Sequence, residues 1–329
     1  MVPQVDDVSR DLRCKQILKF VAKLLVTVIL LLWVFSQIDL EQLSTATKNA
    51  KWGFLWIVWG LTIAVYWILS IKMRLILKKQ DCHASTGALF GISAVTALYS
   101  MVLPGLFDVP VKWYILRQHT GKGSNVFSSM VYSQFTTILI TSVSALVALI
   151  VTNPAGNWQL PTICLALLVF LIVVCLLLLN RRVGPKFTNY LSRLLKLLPR
   201  SWRDIGCRIL AQLSVFQTAS WAFHFKVVLL DFASITIIGT TIYFFAAKAA
   251  RIDVLIGVLI WQCALIFVLG RMPISIANLG VREATLVGTL ALYGVDAPSA
   301  LLMSMIIFSN GILMAIIGAI FQLCWRPRK

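Results

Sequence analysis

The sequence predicts an all-α membrane protein with about six full helical crossings and two re-entrant helical hairpins in a pseudo-inverted repeat. Three observations indicate this class. The 329-residue chain is 59% hydrophobic and only 13% charged, which suits membrane spans better than a soluble core. Its mean hydropathy is +0.88. Two of its apolar stretches are interrupted by helix breakers and charges, and paired interruptions of this kind point to a binding site between structural repeats.

The later interruption, residues 270–284, reads GRMPISIANLGVREA and separates two apolar segments. Pro273 and Gly280 stop helices here. Three charged side chains lie in the break: Arg271, Arg282 and Glu283. Each is expensive at bilayer depth unless it is paired or hydrated, and irregular backbone at that depth must line a protein-walled cavity. The segment is therefore predicted to form half of a substrate site.

The earlier interruption, residues 103–114, reads LPGLFDVPVKWY and has the same ingredients. Pro104 and Gly105 break the helix, and one acid and one base follow, Asp108 and Lys112. Because the two breaks share this composition, we expect them to face each other across the repeat.

Apolar runs separated by basic segments give the predicted topology. The expected crossings are 17–37, 53–71, 125–151, 162–179, 232–250 and 298–325. Basic residues flank these runs on one side, which places both termini in the cytoplasm and the protein in the cytoplasmic membrane of the cell. Lys72, Arg74, Lys78 and Lys79 are assigned to the cytoplasmic end of the second crossing. The first crossing shows no cleavage site after it and is expected to be a retained anchor.

The two interrupted stretches are predicted to be the hairpins 86–116 and 254–294. A full crossing at 86–103 would place two basic segments outside and contradict the positive-inside rule twice, so the first hairpin should enter from the cytoplasm and the second from the external side. Small residues line the first arm: Gly87, Gly91, Ser93, Ala94 and Ala97. They either allow close packing against a neighbouring helix or simply form a small-residue face.

The chain is expected to form a single membrane domain, 1–329, with halves at 17–180 and 231–325. Between them, residues 181–208 alternate Arg and Lys with Leu and Trp, which is typical of an interfacial helix on an anionic leaflet. Residues 209–230 contain Gln212, Gln217, His224 and Lys226. This polarity favours an elbow at the surface or tucked into the bundle over a full crossing.

The net charge of +18, from 30 basic and 12 acidic residues, indicates anionic membrane lipids as partners. Nucleic-acid binding is not expected, because no basic groove motif or soluble domain is present. The seven cysteines are scattered without metal-ligand spacing, so we expect packed thiols and no metal or cofactor. No catalytic dyad or triad is recognised, and we expect no enzyme activity.

The motif MPISIANLGVREA at 272–284, followed by YGV at 293–295, closely resembles the signature of the lysylphosphatidylglycerol synthase transmembrane family, also called flippase-like. Pro104 and Gly105, followed by Lys112, Tyr114 and Leu116, are similar to the family's other block. Here the sequence departs from the pattern, since the acid stands four residues before Lys112 rather than three, and Phe replaces the expected Gly. The resemblance spans about 15–325 and implies lipid translocation by a stand-alone member without the soluble aminoacyl-transferase domain.

A lipid translocase needs cationic donors near the membrane centre, and guanidinium binds phosphate bidentately. The candidate substrate-binding residues are Arg282, Glu283, Arg271, Lys112, Ser275, Asn278 and Asp108, with Pro104, Gly105, Pro273 and Gly280 as helix breakers. Arg282 is the first choice, and Glu283 is expected to hold it when the site is empty. The alternative is that the Arg282–Glu283 pair only locks helices together.

The leading functional hypothesis is translocation of an anionic phospholipid or a polyprenyl- or lipid-linked intermediate. The alternative is a non-transporting membrane partner that recruits or regulates a lipid-modifying enzyme or glycosyltransferase through its basic face. A membrane enzyme would need an acid–base pair that the sequence does not show. Faces of small residues at Gly87, Gly91, Gly311 and Ala315 would permit a homo-oligomer.

Overall fold

The computed structural model describes residues 40–102, 108–152, 158–179, 215–270 and 279–324, and the regular structure in these ranges is helical. The all-α prediction is therefore confirmed for this part of the chain. The helices are α1 (Leu40–Asn49), α2 (Gly53–Lys79), α3 (Thr86–Val102), α4 (Asp108–Thr120), α5 (Gly123–Thr152), α6 (Gln159–Leu179), α7 (Trp221–Ala249), α8 (Ile256–Leu269), α9 (Val281–Ala291) and α10 (Ala297–Cys324).

Four of these helices are long and apolar enough to cross a membrane: α2, α5, α7 and α10. They contain four of the six predicted crossings. At 1.5 Å per residue, even the shortest of them extends about 40 Å, which exceeds the hydrocarbon core of a bilayer. The predicted crossing at 162–179 falls within α6, and the one at 17–37 lies outside the described residues.

The two predicted hairpins each contain a pair of short helices, α3 with α4 and α8 with α9, and the partners in each pair pack against each other. With 17 and 14 residues, α3 and α8 are only about 25 and 21 Å long, too short to cross about 30 Å of hydrocarbon. The breaks themselves, 103–107 and 271–278, lie outside the described residues.

The two short pairs open at opposite ends of the bundle. Just after α4, the Lys122 ammonium donates to the Asp81 carbonyl at 3.0 Å, beside the end of α2. Just before α8, Arg251 Nε donates to the Asn49 carbonyl at 2.7 Å, beside the start of α2. The end of α4 therefore lies at one end of α2, and the start of α8 lies at the other.

Helix packing divides most of the bundle into two corresponding sets, α2–α5 and α7–α10. The first short helix of each set packs along the last long helix of the other set, α3 on α10 and α8 on α5. The leading helices α2 and α7 pack on each other, and α4 packs on α5 as α9 packs on α10. This reciprocity is what a repeated unit of long helix, short pair and long helix produces; α6 lies outside it and packs on α5.

The contact between α3 and α10 is a close backbone approach. A Cβ atom added at Gly318 would lie 2.2 Å from the Ala94 carbonyl oxygen, and one at Gly91 would lie 2.6 Å from the Phe321 ring. A Cβ at Gly87 would meet nothing within 4 Å. The predicted close packing of the first hairpin arm is therefore confirmed at Gly91 and Ala94.

Gly311 and Ala315 on α10, which the sequence suggested for contacts between subunits, instead lie at positions enclosed within the chain. A Cβ added at Gly311 would lie 2.6 Å from the Met101 methyl, and Ala315 is buried. Gly311 therefore serves the α3–α10 contact and Ala315 is enclosed within the chain, so the homo-oligomer stays a prediction without their support.

Helix α7 is continuous, but its middle, Phe232–Gly239, is π-helical. The sequence separated an elbow at 209–230 from a crossing at 232–250, whereas the structure joins residues 221–230 to the same long helix. Of the polar residues that suggested an elbow, His224 has a partner inside the bundle, because its Nδ1 and the Tyr132 hydroxyl share a 2.6 Å hydrogen bond, whereas Lys226 is exposed.

Gly318→Leu tests the close helix contact. The new side chain meets α3 backbone, which cannot swing aside, so we expect unfolding free energy to fall by about 1–3 kcal/mol. Thermal unfolding of detergent-solubilised protein measures this. Gly288→Leu is the matched control, because a Cβ there meets nothing within 4 Å. Equal losses in the two variants would contradict the contact.

Candidate functional site

A cavity of about 220 Å³ lies where the two short helix pairs end inside the bundle. Ser100 near the end of α3, Lys112 near the start of α4 and Phe267 near the end of α8 all line it. Helices α2 and α5 and the π-helical part of α7 complete the wall. Further polar lining residues are Ser93, Thr96, Ser133, Gln134 and Thr137. The cavity therefore places hydrogen-bonding groups in the middle of an apolar bundle.

Lys112 is half-buried and carries the only charge among the described residues that line this cavity. The sequence named it as a candidate ligand, and the structure places it beside the predicted break. Asp108 begins α4, and Val109 next to it also lines the cavity. The side chain of Asp108 lies outside what the structure describes. An ammonium group surrounded by hydroxyl and amide groups suits a phosphate-bearing ligand.

Behind the cavity wall is a buried ion pair between Lys72 on α2 and Asp231 on α7. Lys72 Nζ lies 2.7 Å from Asp231 Oδ1, and the two side chains are 1% and 0% exposed. The ammonium also donates to the Ser133 carbonyl and to Thr137 Oγ1, both at 2.8 Å. Since Ser133 and Thr137 line the cavity, the pair is one contact away from it.

The assignment of Lys72 to the cytoplasmic end of the second crossing was wrong. Helix α2 continues to Lys79, two turns beyond the predicted end, so Lys72 lies inside the bundle. The available signal was Asp231, a carboxylate between Leu230 and Phe232 in an apolar run, which requires a partner at that depth. That partner is 159 residues away in the sequence.

A second charged centre forms at the start of α9. Gly280 has a φ of 81°, a backbone conformation that favours glycine, and its N–H donates to Glu283 Oε2 at 2.7 Å. Arg282 pairs with the other carboxylate oxygen of Glu283 and donates from Nε to Ser304 Oγ at 2.9 Å. The guanidinium carbon is 4.9 Å from the centre of the Phe308 ring. These contacts tie α9 to α10.

The predicted pairing of Arg282 with Glu283 is thus present, and both residues are buried. Among the described residues, those that line the Lys112 cavity do not include Arg282. Whether the pair contacts substrate or only locks helices stays a prediction. The remaining candidates lie outside the described residues: Arg271, Ser275, Asn278, Pro273, Pro104 and Gly105.

A basic cavity of about 620 Å³ lies at the end of the bundle where the α3–α4 pair opens. Its lining includes Arg74, Lys78, His83 and His119. Cys82 also lines it, and burial raises the pKa of its thiol, so the protonated form is favoured. The anionic-lipid partner stays a prediction.

The sequence profile of one family, described as the lysylphosphatidylglycerol synthase TM region, matches residues 20–318. The chain belongs to this family. The resemblance predicted from the two sequence blocks is confirmed. The matched range contains every residue that lines the Lys112 cavity and all four residues of the two buried ion pairs. Membership indicates a membrane protein of lipid metabolism or transport. No curated protein and no solved structure is similar enough to count as a match.

Lys72→Met tests the buried pair in this family member. It leaves Asp231 buried without a counter-charge, so we expect a loss of about 3–5 kcal/mol of unfolding free energy. Adding Asp231→Leu should restore most of this stability, because an apolar pair of similar size replaces the charges.

The loss is measured by thermal unfolding in detergent. Lys78→Met is the control, since Lys78 is exposed on the same helix and its loss should change stability by no more than about 0.5 kcal/mol. If Lys72→Met unfolds like Lys78→Met, the pair is not closed in solution.

Proposed function

We propose that the protein translocates an anionic phospholipid, or another lipid-linked intermediate with a phosphate headgroup, across the cytoplasmic membrane. The observation that carries this proposal is the polar, Lys112-containing cavity between the ends of the two short helix pairs. Family membership supports the same lipid-related function.

The cavity suits a headgroup rather than a whole lipid. Its volume is below the range of about 300–1,000 Å³ that drug-sized ligands occupy, so the acyl chains would stay in the bilayer while the headgroup enters. A desolvated phosphate needs a cation and several donors. Lys112 supplies the cation, and Ser93 and Gln134 offer donors from the cavity wall. The hydroxyls of Thr96 and Ser100 donate to the carbonyls of Ile92 and Ala97 in the empty site and would turn to the phosphate only when it enters.

The arrangement of the helices supports alternating access. We infer that the α3–α4 and α8–α9 pairs are re-entrant hairpins that dip into the membrane from opposite leaflets, because they open at opposite ends of the bundle. Inverted repeats with broken helices hold their substrate near the midplane in this way. The basic cavity at Arg74 and Lys78 would then face the anionic cytoplasmic leaflet, with both chain termini on that side.

The other hypothesis, a non-transporting partner for a membrane enzyme or glycosyltransferase, depends on the basic segment 181–208. That segment lies outside the described residues. The described site favours translocation, because a cavity deep in the bundle has no use in recruitment at the surface.

Lys112→Ala tests the proposal. Purified protein is reconstituted in phosphatidylcholine vesicles containing fluorescent phosphatidylglycerol, and dithionite quenching measures movement between leaflets. We expect the variant to move the lipid at least about tenfold more slowly, since a hydrogen bond to a charged group contributes about 1.5–3 kcal/mol.

Arg117→Ala is the matched control for Lys112→Ala. Arg117 lies on the same helix but is exposed and packs on Trp113 outside the cavity. Wild-type protein that moves no lipid would support the recruiting partner instead. Equal movement by Lys112→Ala and wild type would remove Lys112 from the site.

Arg282→Gln combined with Glu283→Gln distinguishes substrate contact from helix locking. The double variant leaves no uncompensated charge at the start of α9. If Arg282 binds the headgroup, lipid movement falls by at least about tenfold in the assay above. If the pair only locks α9 to α10, movement stays near wild type while the unfolding temperature drops, and Arg282 leaves the substrate site.

A further inference from the structure

The buried pair of Lys72 and Asp231 is incompletely satisfied on one side. The Lys72 ammonium donates to Asp231 Oδ1, the Ser133 carbonyl and Thr137 Oγ1. Asp231 Oδ2, by contrast, is buried and has no hydrogen-bond partner in the described part of the chain. A carboxylate oxygen without a donor in an apolar interior is costly, and such an atom calls for a functional reason. A proton on that oxygen would remove the cost by neutralising the group.

The pair also joins the two helix sets, so relative movement of the sets would change the distance between Lys72 and Asp231. Lys72 belongs to α2 and Asp231 to α7, the corresponding leading helices of the two sets. Asp231 directly precedes the π-helical stretch, and Ile235 within that stretch lines the cavity. Single π-helical turns occur often at functional sites, and their wide backbone accommodates local rearrangement. A change in the charge of Asp231 would therefore act at the joint between the sets.

The charges around Asp231 are few. On α2 the facing charged group is Lys72. On α5 the contacting residues, Ser133 and Thr137, are uncharged, and on α7 the Ser234 hydroxyl bonds backbone carbonyls of that helix. Across the cavity, α4 presents Lys112. Without its carboxylate partner, Lys72 would therefore place a positive charge next to the cavity that Lys112 lines.

We propose that Lys72 is a second cationic contact for the anionic headgroup and that Asp231 is its exchangeable counter-ion, so that one proton moves with each negative charge. In the empty site Lys72 pairs with Asp231. When a phosphate enters, the ammonium keeps its three protons and turns from Oδ1 to a phosphate oxygen. A hydronium ion then gives up a proton and becomes water, and an O–H bond forms on the Asp231 carboxylate. When the phosphate leaves on the other side, this O–H bond breaks, the proton passes to water there, and Lys72 pairs with Asp231 again. The buried charge stays balanced throughout, which low-dielectric surroundings demand.

This inference rests on the proposed function and adds its energy source. A transmembrane proton gradient would drive the anionic lipid in the direction of the proton. With one proton per lipid, a gradient of one pH unit supports about a tenfold difference in lipid between leaflets. A zwitterionic lipid does not replace the Asp231 charge and should carry no proton.

The experiment uses the full chain in phosphatidylcholine vesicles with fluorescent phosphatidylglycerol and an internal pH dye. The outside is made one pH unit more acidic than the inside. Wild type should then accumulate the lipid up to about tenfold in the inner leaflet and acidify the vesicle interior as it does so. Asp231→Asn should move the lipid without responding to the gradient, because the amide takes up no proton. Fluorescent phosphatidylcholine in place of phosphatidylglycerol is the control for charge.

Lys72→Met with Asp231→Leu keeps the test decisive if Asp231→Asn does not fold. This variant retains a well-packed pair, and we expect it to lose at least about tenfold in lipid movement together with the gradient response. Lys226→Met, which changes an exposed lysine of α7 outside the Lys112 cavity and the basic cavity, should behave as wild type. Movement and gradient response in the double variant equal to wild type would show that the pair only locks α2 to α7.

The outcomes separate the two proposals. Wild type that moves lipid without proton uptake, or Asp231→Asn that keeps the gradient response, overturns the coupling and leaves translocation standing. Wild type that moves no lipid overturns translocation itself, and the coupling falls with it.

Discussion

Every charge placed inside this apolar bundle must be compensated, and that constraint explains much of its architecture. An isolated ion costs several kcal/mol to bury even after relaxation. The protein meets this cost in two ways. Glu283 follows Arg282 directly, so one helix start supplies both partners, whereas Lys72 and Asp231 come from different helix sets. The first pair forms as soon as α9 forms. The second forms only when the two halves of the chain assemble.

The same assembly supports the short helices. Neither α3 nor α8 is long enough to cross a bilayer alone, and each packs along a long helix of the other set. The α3–α10 contact is close enough that backbone meets backbone at Gly318 and Ala94. The inner ends of both short pairs are therefore positioned by the opposite set. Relative movement of the sets would change the cavity from both sides at once.

The sequence predicted the features that depend on local composition. Four of the crossings and the place of Lys112 beside a predicted break follow from apolar runs and the residues that interrupt them. The buried position of Lys72 was not predicted, because a lysine at the end of an apolar run has the same local pattern whether it faces headgroups or a buried carboxylate. Asp231, 159 residues away, decides between these cases, and local composition carries no information about that contact.

The two ion pairs differ in how readily they could exchange a partner, and this difference favours the cavity side of the bundle for substrate. Arg282 and Glu283 hold each other, Ser304 binds both, and the Gly280 N–H occupies the second carboxylate oxygen. Releasing Arg282 would also undo the start of α9. At Asp231 one carboxylate oxygen is free of hydrogen bonds, and the helix continues past it on both sides. A headgroup can therefore compete for Lys72 without unfolding any element, provided that a proton replaces the lost charge.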